Sequence, residues 1–267
     1  MNNQPFSPAK PTARPATQPT TKPRQANAFE RLRNRRLNKA TKPFQARGAS
    51  VERCGDCFLS SAACICSWRK QMHCNIDIAL LMHNKEILKP TNTGRLIADC
   101  FPEQCHAFEW SRTEPCQDII HLLQDPNRQC FILFPGELVP DREVYHNPQQ
   151  DQLADLCQHK TPTVILLDGT WKQARKMLYQ SEWLQTPPIL SISPEHSATY
   201  ALRKAPKEHQ LSTAEAGVMV LNAFGEAKQA RLLHQYFELF NHHYRAIRRT
   251  MAPEMNIIHQ QMAAIDE

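Results

Sequence analysis

The sequence predicts an α/β fold built on a mostly parallel sheet. Between residues 76 and 192, short apolar runs bounded by turn residues alternate with helical patterns, and that alternation implies parallel strands covered on both faces. The two strongest runs, Cys130–Phe134 (CFILF) and Thr163–Leu167 (TVILL), are continuously apolar, as central parallel strands are. The C-terminal third then turns wholly helical, and no internal repeat is visible.

The chain opens on a segment with a different character. Residues 1–50 hold eleven Lys/Arg and one acid, Glu30, whereas residues 51–267 hold 21 Lys/Arg against 25 Asp/Glu. The net +6 of the chain is therefore a basic arm on a mildly acidic body. Seven of the 20 prolines also lie in residues 1–50, and so little apolar surface cannot offset the entropy of ordering such a segment. The expectation is a disordered basic arm over 1–50, in which Phe29–Ala40 (FERLRNRRLNKA) forms a short helix on a polyanion.

Residues 51–75 follow as a small knuckle. Cys54, Cys57, Cys64 and Cys66 spell C-x2-C-x6-C-x-C, a spacing that lets four thiolates converge on one zinc ion, with His73 or Cys74 as substitutes for one ligand. Cys100, Cys105, Cys116, Cys130 and Cys157 stand alone and read as small buried hydrophobes. No run approaches the ~18 apolar residues of a membrane span, and the start of the chain lacks a signal peptide's apolar core. A cytoplasmic location without membrane contact is expected.

Residues 76–267 form the expected main domain. Strands are predicted at Ile76–His83, His106–Trp110, Cys130–Phe134, Thr163–Leu167 and Ile189–Ile192. Helices are predicted around Thr93–Cys100, Cys116–Gln124, Pro148–His159 and Trp171–Trp183. Ser212 and Glu215 have capping-box spacing, so a further helix begins at Ser212. In a second helix that follows, Leu233, Phe237, Phe240, Tyr244 and Ile247 make an apolar stripe that reads as core packing.

Ligands of open α/β sheets bind at the carboxyl ends of the strands. Three following segments stand out there: Pro135-Gly136-Glu137, Asp168-Gly169-Thr170-Trp171, and the long loop from Ser193 to Leu211. Neither G-x-G-x-x-G nor G-x-x-x-x-G-K-[ST] occurs, so no dinucleotide fingerprint or P-loop is supported. Asp168 ends a buried strand beside a helix N-terminus, which suits a positioned functional carboxylate and equally a helix cap made by Asp168 or Thr170. Trp171 reads as either a core residue or an aromatic wall for a nucleobase. Residues alone thus give an α/β domain with a zinc knuckle and a basic arm, acting on RNA.

Four ordered blocks extend this. Thr91-Asn92-Thr93-Gly94-Arg95-Leu96, Leu133-Phe134-Pro135-Gly136, Leu167-Asp168-Gly169-Thr170-Trp171-Lys172-Gln173-Ala174 and Leu211-Ser212-Thr213-Ala214-Glu215-Ala216 resemble blocks of the DTW domain family, whose signature is D-x-T-W. The resemblance runs from about Cys54 into the C-terminal helices. It implies a tRNA-uridine aminocarboxypropyltransferase that moves the 3-amino-3-carboxypropyl group of S-adenosylmethionine to N3 of a uridine, in the variable loop, releasing 5′-methylthioadenosine. It also implies a fold related to SPOUT methyltransferases with a C-terminal trefoil knot holding the cofactor, and a monomer.

Carried onto these positions, the resemblance makes Asp168 and Trp171 catalytic. Asp168 would be the base for the N3 proton or would hold the cofactor's ammonium group, and Trp171 would stack on uracil or wall the pocket. Cofactor contacts are expected from Thr93, Arg95, Phe134, Pro135, Gly136 and Thr170. Ile192, Tyr200, Arg203, Leu211, Ser212 and Thr213 complete that set. Arg95 or Arg203 would grip the cofactor's carboxylate, with a helix-surface role the alternative for Arg95. The zinc knuckle and basic arm are expected to hold the tRNA backbone. A SPOUT-type RNA methyltransferase and a noncatalytic zinc-containing RNA-binding protein are the competing readings.

Overall fold

The computed structural model describes residues 24–40, 51–193 and 211–265. Six strands form one sheet: β1 (Asp77–Met82), β2 (Cys105–Glu109), β3 (Arg128–Leu133), β4 (Val144–His146), β5 (Thr161–Asp168) and β6 (Ile189–Ser191). Their order is β2-β1-β5-β3-β6-β4, and every pairing is parallel. The late strands β5 and β6 thus lie between earlier ones. The five predicted strands and four predicted interior helices all form, the latter as α2 (Gly94–Cys100), α3 (Gln117–Gln124), α4 (Gln150–Cys157) and α5 (Trp171–Tyr179). Strand β4 is new; its three residues, Val-Tyr-His, pair only with β6 at the sheet edge and are too few to show a period.

Side chains alternate across a strand, so the sheet separates two apolar layers. Ile78, Leu80, Met82, Val164 and Leu166 pack with α2 and with two C-terminal helices, α6 (Thr213–Ala223) and α7 (Ala227–Arg248). Ala79, Leu81, Ile132 and Ile165 pack on the opposite face with residues of α3 and α5. Helix α6 begins where its capping box predicts, Ser212 Oγ accepting from the Glu215 N–H at 3.3 Å. The stripe on α7 is core as expected, with Leu233, Phe237 and Phe240 buried.

The expectation of an unstructured arm is corrected for residues 24–40. Ala28–Asn38 form helix α1, opened by a capping box in which Asn27 Oδ1 accepts from the Glu30 N–H and Glu30 Oε2 from the Asn27 N–H, both at 2.9 Å. Phe29, 1 % exposed, and Leu32 are buried, and the Phe29 ring lies 6.4 Å from that of Phe58 in the knuckle. Asn27 Nδ2 donates to the buried Asp99 of α2 at 3.1 Å. The helix forms on the protein's own surface because Ala28, Phe29 and Leu32 make a small apolar stripe amid the arginines.

The knuckle shares this core. Cys57, Leu59 and Ile65 are buried in the same cluster as α2 and α7. A final helix, α8 (Ile257–Ala263), closes over it: His259 Nε2 lies 3.0 Å from His243 Nε2, and His243 Nδ1 lies 3.1 Å from the Ala63 carbonyl. No helix among the described residues is long and apolar enough to cross a membrane.

Candidate active site at the carboxyl ends of the strands

Asp168, the last residue of β5, is 4 % exposed and is the point where three separated blocks meet. Asn92 Nδ2 donates to its Oδ2 at 2.6 Å, and Thr213 Oγ1 donates to its Oδ1 at 2.6 Å. Asn92 also caps the start of α2, its Oδ1 accepting from the Arg95 N–H at 3.1 Å. Thr93 Oγ1 accepts from the Ala214 N–H at 3.3 Å, which ties α2 to α6 directly. A Cβ on Gly94 would lie 3.0 Å from Asp168 Oδ2, so the absent side chain lets α2 approach the carboxylate. Burial pushes the Asp168 carboxyl above its ordinary range, and the bonds from Thr213 and Asn92 pull it partly back.

The other members of the D-G-T-W block face elsewhere. Thr170 caps α5 and does not touch Asp168: its Oγ1 accepts from the Gln173 N–H at 3.4 Å, and its own N–H donates to Gln173 Oε1 at 2.7 Å. Of the two cap candidates, Thr170 is therefore the one used. Trp171 is 40 % exposed and stacks on Phe134 with centroids 5.3 Å apart and planes at 10°. Phe134 belongs to the α3/α5 layer, so Trp171 offers an open indole face on the far side of the sheet from the Asn92–Asp168–Thr213 group. Pro135 and Gly136 follow β3; the Gly136 N–H donates to Ser191 Oγ at 3.0 Å. A Cβ on Gly136 would meet His146 and Val144 at 2.5 Å, so packing against β4 accounts for this glycine. Ile192 is half-buried just after β6, and Leu211 is exposed beside the Ser212 cap. Tyr200 and Arg203 lie outside the described residues.

Arg95 departs from expectation. It is 1 % exposed, neither on the helix surface nor at the strand ends. Its guanidinium lies 3.7 Å from Asp99 Oδ2, with its carbon 5.1 Å from the Phe240 ring centroid and 5.7 Å from that of Phe58. The i, i+4 geometry of α2 carries the side chain back under the knuckle and α7, where Asp99 also receives Arg69 at 3.2 Å.

The four knuckle thiols converge as the spacing implies. Their sulfur atoms all lie within 4.8 Å of one another, with Cys54–Cys66 at 3.6 Å, Cys57–Cys64 at 3.7 Å and Cys54–Cys64 at 3.5 Å. A zinc–sulfur bond of about 2.3 Å in a tetrahedron sets sulfurs about 3.8 Å apart, close to these three separations, so the cluster suits that ion. A hydrogen bond from the Cys66 thiol draws the Cys57 thiol down to about 4. His73 and Cys74 take no part: His73 pairs with Gln104 at 2.9 Å, and Cys74 Sγ turns to the Ile76 carbonyl at 3.1 Å. Of the isolated cysteines, Cys100, Cys105, Cys130 and Cys157 are buried as expected, while Cys116 is exposed.

Sequence reasoning passed over three residues of this region. Asn92 sits in the first of the four blocks but carries no spacing signal. Gln173 closes the α5 cap through Oε1 and reaches His83 Nδ1 through Nε2 at 3.2 Å. His83, at the end of β1, donates its backbone N–H to the Asp168 carbonyl at 2.9 Å and stacks on Trp110. The rule of looking just past each strand, applied to β1, would have found it.

Comparison with known families matches the DTW domain over residues 51–245. The chain is 24% identical over 179 residues to tRNA-uridine aminocarboxypropyltransferase 2 of Mus musculus, covering 63% of this chain and 55% of that protein. The protein of the same name from Macaca fascicularis matches with the same identity and coverage. The chain thus spans about half the length of the curated relatives it matches. No solved structure matches it.

Proposed function

Because this chain belongs to the DTW domain family, we propose that it is a tRNA-uridine aminocarboxypropyltransferase using S-adenosylmethionine as donor and N3 of a uridine as acceptor. The observation that carries this reading is the convergence of Asn92, Thr213 and Gly94, from separate blocks, on the buried carboxylate of Asp168. The activity for which the relatives are named agrees with it. With it we propose the SPOUT-related knotted fold, supported by the insertion of β5 between β1 and β3 and of β6 between β3 and β4.

The donor supplies an electrophilic carbon next to a sulfonium. The buried Asp168 carboxylate at the end of β5 suits such a cation, whereas the exposed indole of Trp171, which opens α5 and stacks on Phe134, lies on the other face of the sheet. Asp168 takes the N3 proton of uracil as the N–C bond forms and the C–S bond breaks, the electron pair leaving on sulfur in methylthioadenosine. A carboxylate has about four lone-pair sites, and Asn92 and Thr213 occupy two of them. Burial strengthens an aspartate that would otherwise be a weak base.

The test is to incubate the protein with tRNA and S-adenosylmethionine and identify the small-molecule product by mass. Methylthioadenosine is expected. S-adenosylhomocysteine would make the protein a methyltransferase, and no turnover would leave an RNA-binding protein. Asp168→Asn should lower turnover by about 10²–10⁴-fold; near-normal turnover would remove Asp168 as the base.

A further inference from the structure

His83 has a fixed protonation pattern that nothing in the site so far uses. The Thr170 N–H occupies Gln173 Oε1 at 2.7 Å, so the other amide atom of Gln173, the donor Nε2, is the one turned toward His83, 3.2 Å from Nδ1. The Lys85 backbone N–H lies 3.3 Å from the same nitrogen. Two N–H donors on one ring nitrogen make it the acceptor, and in the neutral imidazole the proton then sits on Nε2. No described residue accepts from Nε2, and the ring is only half-buried.

The ring is also held in orientation. It stacks on Trp110 with centroids 5.7 Å apart and planes at 22°. Trp110 is itself pinned, its Nε1 donating to the buried Ser181 Oγ at 2.8 Å. Burial is the main influence that disfavours the imidazolium; Glu86 opposes it, and Lys176, Lys85 and Lys89 each add a smaller push in the same direction as burial. What results at the carboxyl end of β1 is one rigid N–H donor with an open partner position, beside the strand that ends in Asp168.

We propose that His83 Nε2–H hydrogen-bonds to a carbonyl oxygen of the target uracil as N3 loses its proton. The inference rests on the uridine reading above. Loss of the N3 proton spreads negative charge onto the two flanking carbonyl oxygens, and a preorganised donor at one of them stabilises that charge. The proton goes to the base, the N3–carbon bond forms as the carbon–sulfur bond breaks, and His83 keeps its own proton throughout.

Two measurements test this on the full-length protein. Long-range 15N–1H correlation spectra should show His83 as the Nε2–H tautomer, and an Nδ1–H tautomer would overturn the proposal whatever the activity. In single-turnover assays with tRNA and S-adenosylmethionine, His83→Ala should lower the rate of methylthioadenosine release by about 10²–10³-fold with the KM for S-adenosylmethionine little changed. His83→Gln, which keeps an N–H donor, should recover part of the loss. Gln173→Glu, whose carboxylate draws the proton to Nδ1, should resemble His83→Ala although the histidine remains. An active wild type with an unaffected His83→Ala rate sinks the inference alone; a wild type that releases no methylthioadenosine sinks the reading of the site and the inference with it.

Discussion

At Asp168, a single carboxylate joins the end of the central strand to two helices. Its charge is out of water, so each donor it accepts from counts for more than an exposed hydrogen bond would. Thr213→Val removes the bond to Oδ1 while keeping the side chain's volume, and should cost about 1.5–3 kcal/mol of stability at neutral pH. The sign of the pH dependence follows from the direction of the shift. The Asp168 carboxyl is raised above 3.8 on folding, so its neutral form favours the folded state, and that contribution fades as pH rises through the folded-state pKa. Loss of the Thr213 bond raises that pKa further. The gap between wild type and Thr213→Val should therefore be wide at neutral pH and narrower at an acid pH below both folded-state pKa values, where both carboxyls are protonated. Denaturant melts at the two pH values measure it, and a gap independent of pH would mean that Thr213 acts only through packing.

At the scale of elements, α1 shows how charge density can hide a core helix. Its buried face is only Ala28, Phe29 and Leu32, yet those residues cover the knuckle's Phe58 and bring Asn27 to Asp99. Phe29→Ala should destabilise the protein by about 3–5 kcal/mol, read from chemical denaturation. A cost below about 1 kcal/mol would mean that α1 is not part of the fold. The central strands and their helices were legible because continuous apolar runs and helical periods are local signals. Docking of α1 and pairing of β4 were not, since each depends on a surface that exists only after the sheet has formed. The site divides the same way. Asp168 and the Ser212 helix start follow from local rules, and the thiol cluster from spacing. The partners Asn92 and Thr213, the diversion of Arg95 beneath the knuckle and the His83–Gln173 contact arise from which helix faces come together.

For the whole molecule, the decisive feature is that one apolar core runs from the thiol cluster through α2 and α7 to the sheet. The knuckle was expected to serve as a grip for RNA; its buried Cys57, Leu59 and Ile65 make it equally a foundation for α2, whose first turn stands at Asp168. Arg95 and Asp99 lie on that same helix and face the knuckle and α7, so α2 is held from both ends. A metal ion binding the four thiolates would therefore stabilise the candidate site at Asp168 without touching it, because metal binding that orders the knuckle is linked to the folding of everything sharing its core. Zinc analysis should find about one ion per chain. Its removal by a chelator should lower the Tm by at least about 10 °C, equivalent to a few kcal/mol in a domain of this size. The loss should come as a single transition, with turnover falling in step and returning when zinc is restored. Cys57→Ser should reproduce the loss and resist rescue. Were the chelated protein instead to melt in two stages, the later one at the original temperature, the knuckle would be an independent module and α2 would owe its position to α6 and the sheet alone.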